Sequence, residues 1–215
     1  MKLKICGMKY EDNMTAISEL QPDYLGFIFY KKSARYFETS IPKISKKIKK
    51  TGVFVNAPLE EIIKKVTHYS LQAIQLHGNE SPEFCTELKR NISTLLNIRP
   101  EIIKVFSIKD KFDFTILKPY EALVDYFLFD TKGKLPGGNG VIFDWKVLEN
   151  YPSKKPFFLS GGISLETIPK LEAFLKSNAS NYCYAIDINS KFEIAPGLKD
   201  VEKLKEFKNK ITASC

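Results

Sequence analysis

Lys4-Ile5-Cys6-Gly7 places a cysteine at the end of a short apolar run, directly before a glycine that breaks it. The thiol is thus expected at the carboxyl end of a first strand, the edge where parallel α/β proteins bind ligands and eight-stranded barrels carry their chemistry. A sulfur there is a candidate nucleophile or base, whereas cysteine taken out of context is a small, buried, inert apolar group. Phe127-Leu128-Phe129-Asp130-Thr131 ends a second apolar run in a carboxylate. Its three apolar neighbours predict partial desolvation, a setting that suits a general acid. The plainer reading is a strand-end aspartate that accepts backbone hydrogen bonds.

Other strand ends supply anion-binding groups. Leu159-Ser160-Gly161-Gly162 precedes a helix expected to begin near Ser164, and paired glycines let backbone N–H groups approach an anion at a helix N-terminus. Asp187-Ile188-Asn189-Ser190 ends the last strand, where Asn189 and Ser190 add donors to the same phosphate. Period-two alternation puts Cys183, Ala185 and Asp187 on one face, and an interior face brings Asp187 into the site from below. Arg35, in Ser33-Ala34-Arg35, suits bidentate recognition of a carboxylate. His77 ends the run Gln75-Leu76-His77-Gly78 and reads as a pocket wall. Lys4, two residues before Cys6 on the same strand face, is the nearest cation for the thiol.

Eight short β-branched or aromatic runs must position these groups: Leu3 to Cys6, Tyr24 to Phe29, Gly52 to Val55, Ala73 to Leu76, Ile102 to Phe106, Tyr126 to Asp130, Pro156 to Ser160 and Tyr182 to Asp187. Between them Leu59, Ile62, Ile63 and Val66 recur at helical spacing, as do Leu165, Ile168, Leu171 and Leu175, then Val201, Leu204 and Ile211. The helical pattern is faintest after the second and fifth strands. Alternation of this kind implies parallel pairing through right-handed crossovers, and eight units favour a closed (β/α)8 TIM barrel over an open sheet. The 215 residues suit one such domain, 1–215. Gly137-Gly138-Asn139-Gly140 fits no nucleotide-binding signature and reads as a lid loop after strand six.

A net charge of +8 raises the question of nucleic acid. The lysines of Lys43 to Lys50 and Lys199 to Lys210 alternate with apolar residues as on solvated helix faces, so the surplus is read as attraction for a small anionic substrate, with no nucleic-acid partner. Cys6, Cys85, Cys183 and Cys215 form no Cys-x-x-Cys pair, which points to reduced thiols and no metal. With no apolar run near membrane-spanning length and no signal-peptide pattern, a cytoplasmic protein is expected.

Taken in order, these segments resemble phosphoribosylanthranilate isomerase of tryptophan biosynthesis. The resemblance runs through Lys4 to Gly7, Gly26 to Tyr30 with Ser33 and Arg35, Gly52 to Asn56, Gln75 to Glu80 and Asp130-Thr131. It continues through Gly137 to Gly140 with Phe143 to Trp145, Leu159 to Gly162, Asp187 with Ser190 and Glu193, and Pro196 to Asp200. It implies an Amadori rearrangement of N-(5-phosphoribosyl)anthranilate to 1-(2-carboxyphenylamino)-1-deoxyribulose 5-phosphate, without cofactor or metal, by a monomer or homodimer. By the resemblance Asp130 protonates the furanose oxygen and Cys6 as thiolate removes the C2′ proton. Arg35 holds the anthranilate carboxylate, and Gly161, Gly162, Asn189 and Ser190 cradle the phosphate, with His77 and Asp187 lining the substrate. The family usually has proline where this chain has Ala34 and glycine where it has Lys191, a residue that does not take positive φ freely.

Two other readings remain distinguishable. Another phosphate-binding barrel enzyme of amino-acid biosynthesis calls for different strand-end residues: an acid in place of Cys6, or lysines and a glutamate. A non-catalytic basic barrel scaffold calls for an eroded mouth. Growth of a tryptophan auxotroph lacking only the isomerase step separates both from the enzyme.

Overall fold

A computed structural model describes residues 1–109, 111–131 and 143–213, so the Gly137 to Gly140 loop and Cys215 lie outside the described residues. Eight parallel strands close on themselves: β1 (Lys2–Ile5), β2 (Tyr24–Ile28), β3 (Lys49–Phe54), β4 (Ala73–Leu76), β5 (Glu101–Ile108), β6 (Tyr126–Thr131), β7 (Phe157–Leu159) and β8 (Cys183–Ile188), with β8 pairing back onto β1. Each coincides with an expected run, with ends shifted by up to three residues. The expected (β/α)8 barrel is present.

Alternation along the strands sorts side chains into two compartments. Leu3 and Ile5 enter the core between strands and helices while Lys4 between them faces the barrel interior, where it meets Asp187. The interior is layered. Tyr24, Ile103, Leu128, Phe158 and Ala185 fill one part of it with apolar volume. Lys4, Thr51, Gln75 and Asp187 form a buried polar set in line with the mouth.

Among the described residues five α-helices cover the outside: α1 (Glu11–Glu19), α2 (Leu59–Tyr69), α3 (Pro82–Leu96), α4 (Ile168–Leu175) and α5 (Val201–Ala213). The connections after β5 and β6 carry 3₁₀ turns, Phe114–Tyr120 and Trp145–Asn150, and no α-helix follows β2. The lysines from Lys43 correct the expectation of a helix face: residues 43–48 are irregular and Lys49 and Lys50 lie in β3. Lys199 departs from its expected solvated face as well, being 1% exposed in a hairpin of β9 (Glu193–Ala195) and β10 (Leu198–Lys199) that no sequence pattern announced. Among the described residues no helix is long and apolar enough to cross a membrane.

Strand eight carries the main departure from simple alternation. Phe157 pairs with Cys183 but Phe158 pairs with Ala185, so Tyr184 is an extra residue in the ladder. Ala185 and Asp187 therefore face inward as expected, while Cys183 packs against the outer core and Tyr184 against the inner cluster.

Candidate active site

Cys6, Arg35, His77, Asp130, Asp187 and Asn189 border one cavity at the carboxyl ends of the strands. Cys6 follows β1 directly, buried, with its N–H donating to Ile188 O at 2.9 Å. Space for its sulfur comes from β2. A Cβ on Gly26 would lie 2.7 Å from Cys6 Sγ and 3.0 Å from its Cα, so glycine there is required by the thiol and not by its own backbone angles. Gly26→Ala is expected to lower kcat at least tenfold by displacing the sulfur, with inorganic phosphate still inhibiting at its wild-type concentration. Steady-state rates with phosphate as inhibitor check this, and unchanged turnover removes the role given to Gly26.

The cation expected beside the thiol is present but already engaged. Lys4 Nζ donates to Asp187 Oδ1 at 2.8 Å, with the lysine wholly buried and the aspartate nearly so. Burial pushes the Cys6 thiol up, Lys4 pulls it down, and Asp187 pushes it up again, for a net rise. Lys4 thus lowers the thiol as expected, but burial, with Asp187 adding to it, outweighs that pull. Burial likewise raises Asp187, with Lys4 opposing. It works against the Lys4 charge too, but Asp187 and Cys6 hold that proton on balance.

Asp130 lies in β6 with Oδ1 accepting the Thr131 N–H at 2.9 Å and Oδ2 3.5 Å from His77 Nε2. Of the three apolar neighbours expected to desolvate Asp130, only Leu128 shares its inward side, since the rings of Phe127 and Phe129 belong to the outer core. What shields Asp130 is instead the polar layer. Gln75 Nε2 donates to His77 Nδ1 at 3.0 Å, so His77 stands between a buried amide and the carboxylate.

The loop bearing His77 is fastened by a pair that sequence reasoning missed. Lys104 Nζ donates to Glu80 Oε2 at 3.0 Å and to Gly78 O at 2.7 Å, while Glu80 Oε1 accepts N–H groups of Asn56 and Gly78 at 2.9 and 3.1 Å. One buried ion pair thus ties the ends of β3 and β4 to the middle of β5.

The turn after β7, where a phosphate cradle is expected, is built on two left-handed glycines. Gly161 and Gly162 have φ of +92° and +69°. A Cβ on Gly161 would strike Thr131 Oγ1 at 2.2 Å. Their N–H groups donate to no acceptor among the described residues. The following helix starts as a 3₁₀ turn capped by a reciprocal Ser164–Thr167 pair. Asn189 reaches the cavity, whereas Gly161, Gly162 and Ser190 lie beside it, next to the lining residues Ser160 and Asn189. Lys191 is exposed and is not among the residues of positive φ, so its substitution for glycine strains nothing.

Arg35 is set by its own turn, its N–H donating to Ser33 Oγ at 3.1 Å in place of the rigidity a proline gives. The guanidinium pairs with Glu193, Nη2 to Oε2 at 2.6 Å. Lys199 Nζ joins Glu193 Oε1 at 2.7 Å and Asn189 Oδ1 at 2.7 Å. Neither Glu193 nor Lys199 had a role from sequence, where Glu193 entered only as part of the resemblance and Lys199 was read on a solvated helix face.

Among the described residues, no cluster of histidine, cysteine and carboxylate side chains is suited to a metal ion. The cavity offers one thiol, two strand-end carboxylates, Asp130 and Asp187, and one guanidinium, with a glycine turn beside it. That inventory fits proton transfer on an anionic substrate with charge at both ends.

Residues 3–210 match the family model described as N-(5′-phosphoribosyl)anthranilate (PRA) isomerase. A protein of Parabacteroides distasonis named N-(5′-phosphoribosyl)anthranilate isomerase is 42% identical over 215 residues, covering 96% of this chain and 91% of the relative. A crystal structure of phosphoribosyl anthranilate isomerase in complex with reduced 1-(o-carboxyphenylamino)-1-deoxyribulose 5-phosphate is 26% identical with a TM-score of 0.77, covering 99% of each chain. Generated monomers of the dimeric phosphoribosylanthranilate isomerase of Thermotoga maritima superpose with a TM-score of 0.75 at 26% identity, again over 99% of each chain.

Proposed function

The chain belongs to the N-(5′-phosphoribosyl)anthranilate isomerase family, and from that premise we propose how its own residues divide the reaction. It is an isomerase of tryptophan biosynthesis, converting N-(5-phosphoribosyl)anthranilate to 1-(2-carboxyphenylamino)-1-deoxyribulose 5-phosphate. Asp130 gives a proton to the furanose oxygen as the C1′–O bond breaks, and the anthranilate nitrogen lone pair forms the C1′=N bond of a protonated Schiff base. Cys6, as thiolate, takes the C2′ proton, and the released electron pair moves into a C1′=C2′ bond to give the enolamine. Loss of the C2′ hydroxyl proton with protonation at C1′ then yields the ketone. His77 supports Asp130 at 3.5 Å and returns a proton to it between turnovers.

The observation that carries this reading is that Cys6 and Asp130, from β1 and β6, border the same cavity as Arg35, which gives a base, an acid and a carboxylate receptor around one volume. Arg35 receives the anthranilate carboxylate. The turns at Gly161-Gly162 and Asn189-Ser190 receive the phosphate, with Asp187 bounding the sugar.

Arg35→Ala tests the assignment of the two anion sites. Loss of a charged, bidentate hydrogen-bond donor costs about 1.5–3 kcal/mol, so the variant should bind the carboxylated product about tenfold to a hundredfold more weakly. Inorganic phosphate should bind as before. Calorimetric titration with both ligands checks it, and equal losses mean that Arg35 organises the whole mouth.

The assignment extends to a single barrel domain over 1–215 that needs no cofactor and has no nucleic-acid partner. A cytoplasmic setting follows from a charged, phosphorylated intermediate that membranes retain. A homodimer has a precedent in the Thermotoga maritima relative, and light scattering decides between dimer and monomer for this chain.

A further inference from the structure

Arg35 is held by a carboxylate of its own chain. Nε donates to Oε1 and Oε2 of Glu193 at 2.9 and 3.0 Å, and Nη2 donates to Oε2 at 2.6 Å. One edge of the guanidinium is therefore filled. The opposite edge, Nη1 with the second hydrogen of Nη2, makes no hydrogen bond among the described residues, and Arg35 borders the cavity.

Glu193 is itself held from several directions. Its side chain is 4% exposed. Oε1 accepts from Lys199 Nζ at 2.7 Å and from the Gly197 N–H at 3.1 Å. Lys199 is anchored in turn to Asn189 Oδ1, and its neighbouring backbone is fixed by Asn13, which accepts from Lys199 N at 2.8 Å and donates to Lys199 O at 2.8 Å. Burial pushes Glu193 up, but the hydrogen bonds and charges of Arg35 and Lys199 outweigh it and keep the carboxyl below its ordinary range. One anion between two cations leaves the cluster with a single positive charge to offer a ligand.

We infer that Glu193 is a positioning residue that sets selectivity for the carboxylate-bearing ring: it clamps one edge of Arg35 so that the free edge is presented, pre-oriented, to a planar carboxylate. The inference rests on the reading of Arg35 as the carboxylate receptor. A free arginine side chain loses rotamer entropy when it is fixed, and clamping one edge removes much of that cost from the binding step. The competing possibility is that Glu193 is a plug that the substrate must displace, and the two predict opposite signs.

The experiment compares kcat/KM for N-(5-phosphoribosyl)anthranilate with that for the analogue lacking the ring carboxylate, N-(5-phosphoribosyl)aniline. The ratio is the selectivity. Glu193→Gln keeps the shape and should lower the ratio about tenfold, through KM of the carboxylated substrate with kcat little changed, while inhibition by inorganic phosphate stays as in wild type. Glu193→Gln also adds a net positive charge to the cluster. The double variant Glu193→Gln, Lys199→Met restores the original single charge and should show the same loss, which separates orientation from charge. Circular dichroism reports whether each variant is folded, and Glu193→Asp, which keeps the charge on a shorter arm, should recover part of the ratio. A ratio unchanged in Glu193→Gln but abolished in Arg35→Ala overturns the inference and leaves the Arg35 reading standing. A ratio unchanged in Arg35→Ala overturns that reading itself, and tighter binding of the carboxylated substrate to Glu193→Gln identifies a plug.

Discussion

Cys6→Ser should lower kcat by about a hundredfold or more while the product still binds, because a serine hydroxyl in the same place is too weak a base to take a proton from carbon. Cys6→Ala should fall equally far. Near-normal turnover in either variant would reduce Cys6 to a packing residue. The pH dependence gives a second, independent readout, and its sign follows from the surroundings of the thiol. Burial raises Cys6 and Lys4 only partly offsets it. The reactive thiolate therefore grows as pH rises, and the limb assigned to it in kcat/KM lies above the ordinary thiol value of about 8.5. Lys199 changes in the opposite direction. Burial pushes it down to about 8, so its ammonium is lost as pH rises through that value and the hold on Glu193 and Arg35 weakens. On the proposed roles, the Cys6 limb appears in kcat and disappears in Cys6→Ala, whereas the Lys199 limb appears in KM for the carboxylated substrate. A single limb shared by both parameters contradicts this division.

The parts legible in the sequence are those where position along a strand is enough. Cys6 and Asp130 were identifiable because each ends an apolar run, and in a parallel barrel a strand end is a place at the mouth regardless of packing detail. The eight strands were legible for the same reason, and β4 was read to the residue. What failed was whatever depends on which way a residue faces after a local irregularity. The extra Tyr184 in β8 turns Cys183 outward, and nothing in Tyr182-Cys183-Tyr184-Ala185 distinguishes an alternating strand from a bulged one. Phe127 and Phe129 were counted among the neighbours that desolvate Asp130, although alternation places their rings on the opposite face. Glu193 and Lys199 were hidden differently. Charged residues beside Pro196-Gly197 look like a solvated turn, and their burial exists only because the hairpin folds back over the mouth and presents them to Arg35 and Asn189. The signal for them was pairing of opposite charges at hairpin spacing, which is too common on surfaces to carry weight alone. Ala34 and Lys191 show the converse. Both depart from the family pattern, yet Ser33 Oγ fixes the first turn and a 3₁₀ turn with no positive φ carries the second.

Asp130→Asn should lower kcat/KM by about a hundredfold to ten-thousandfold, since the amide keeps the shape and the Thr131 hydrogen bond but has no proton to give the ring oxygen. The size of the loss does not by itself distinguish an acid for ring opening from a residue that merely holds His77, 3.5 Å away. Substrate carrying deuterium at C2′ does. If Cys6 breaks the C2′–H bond and Asp130 acts one step earlier, the two variants must move the isotope effect in opposite directions. In Cys6→Ser proton abstraction becomes the slow step and the effect on kcat is expressed in full. In Asp130→Asn ring opening becomes the slow step, the C2′–H bond is broken after the commitment to product, and the effect shrinks towards unity. A supporting role through His77 predicts instead that His77→Gln reproduces the rate loss of Asp130→Asn. As the proton source for the ring oxygen, Asp130 should be far more sensitive than His77, whose loss slows only the return of the proton between turnovers. A full isotope effect in Asp130→Asn would take the acid role from Asp130 and place the residue in the C2′ step beside Cys6.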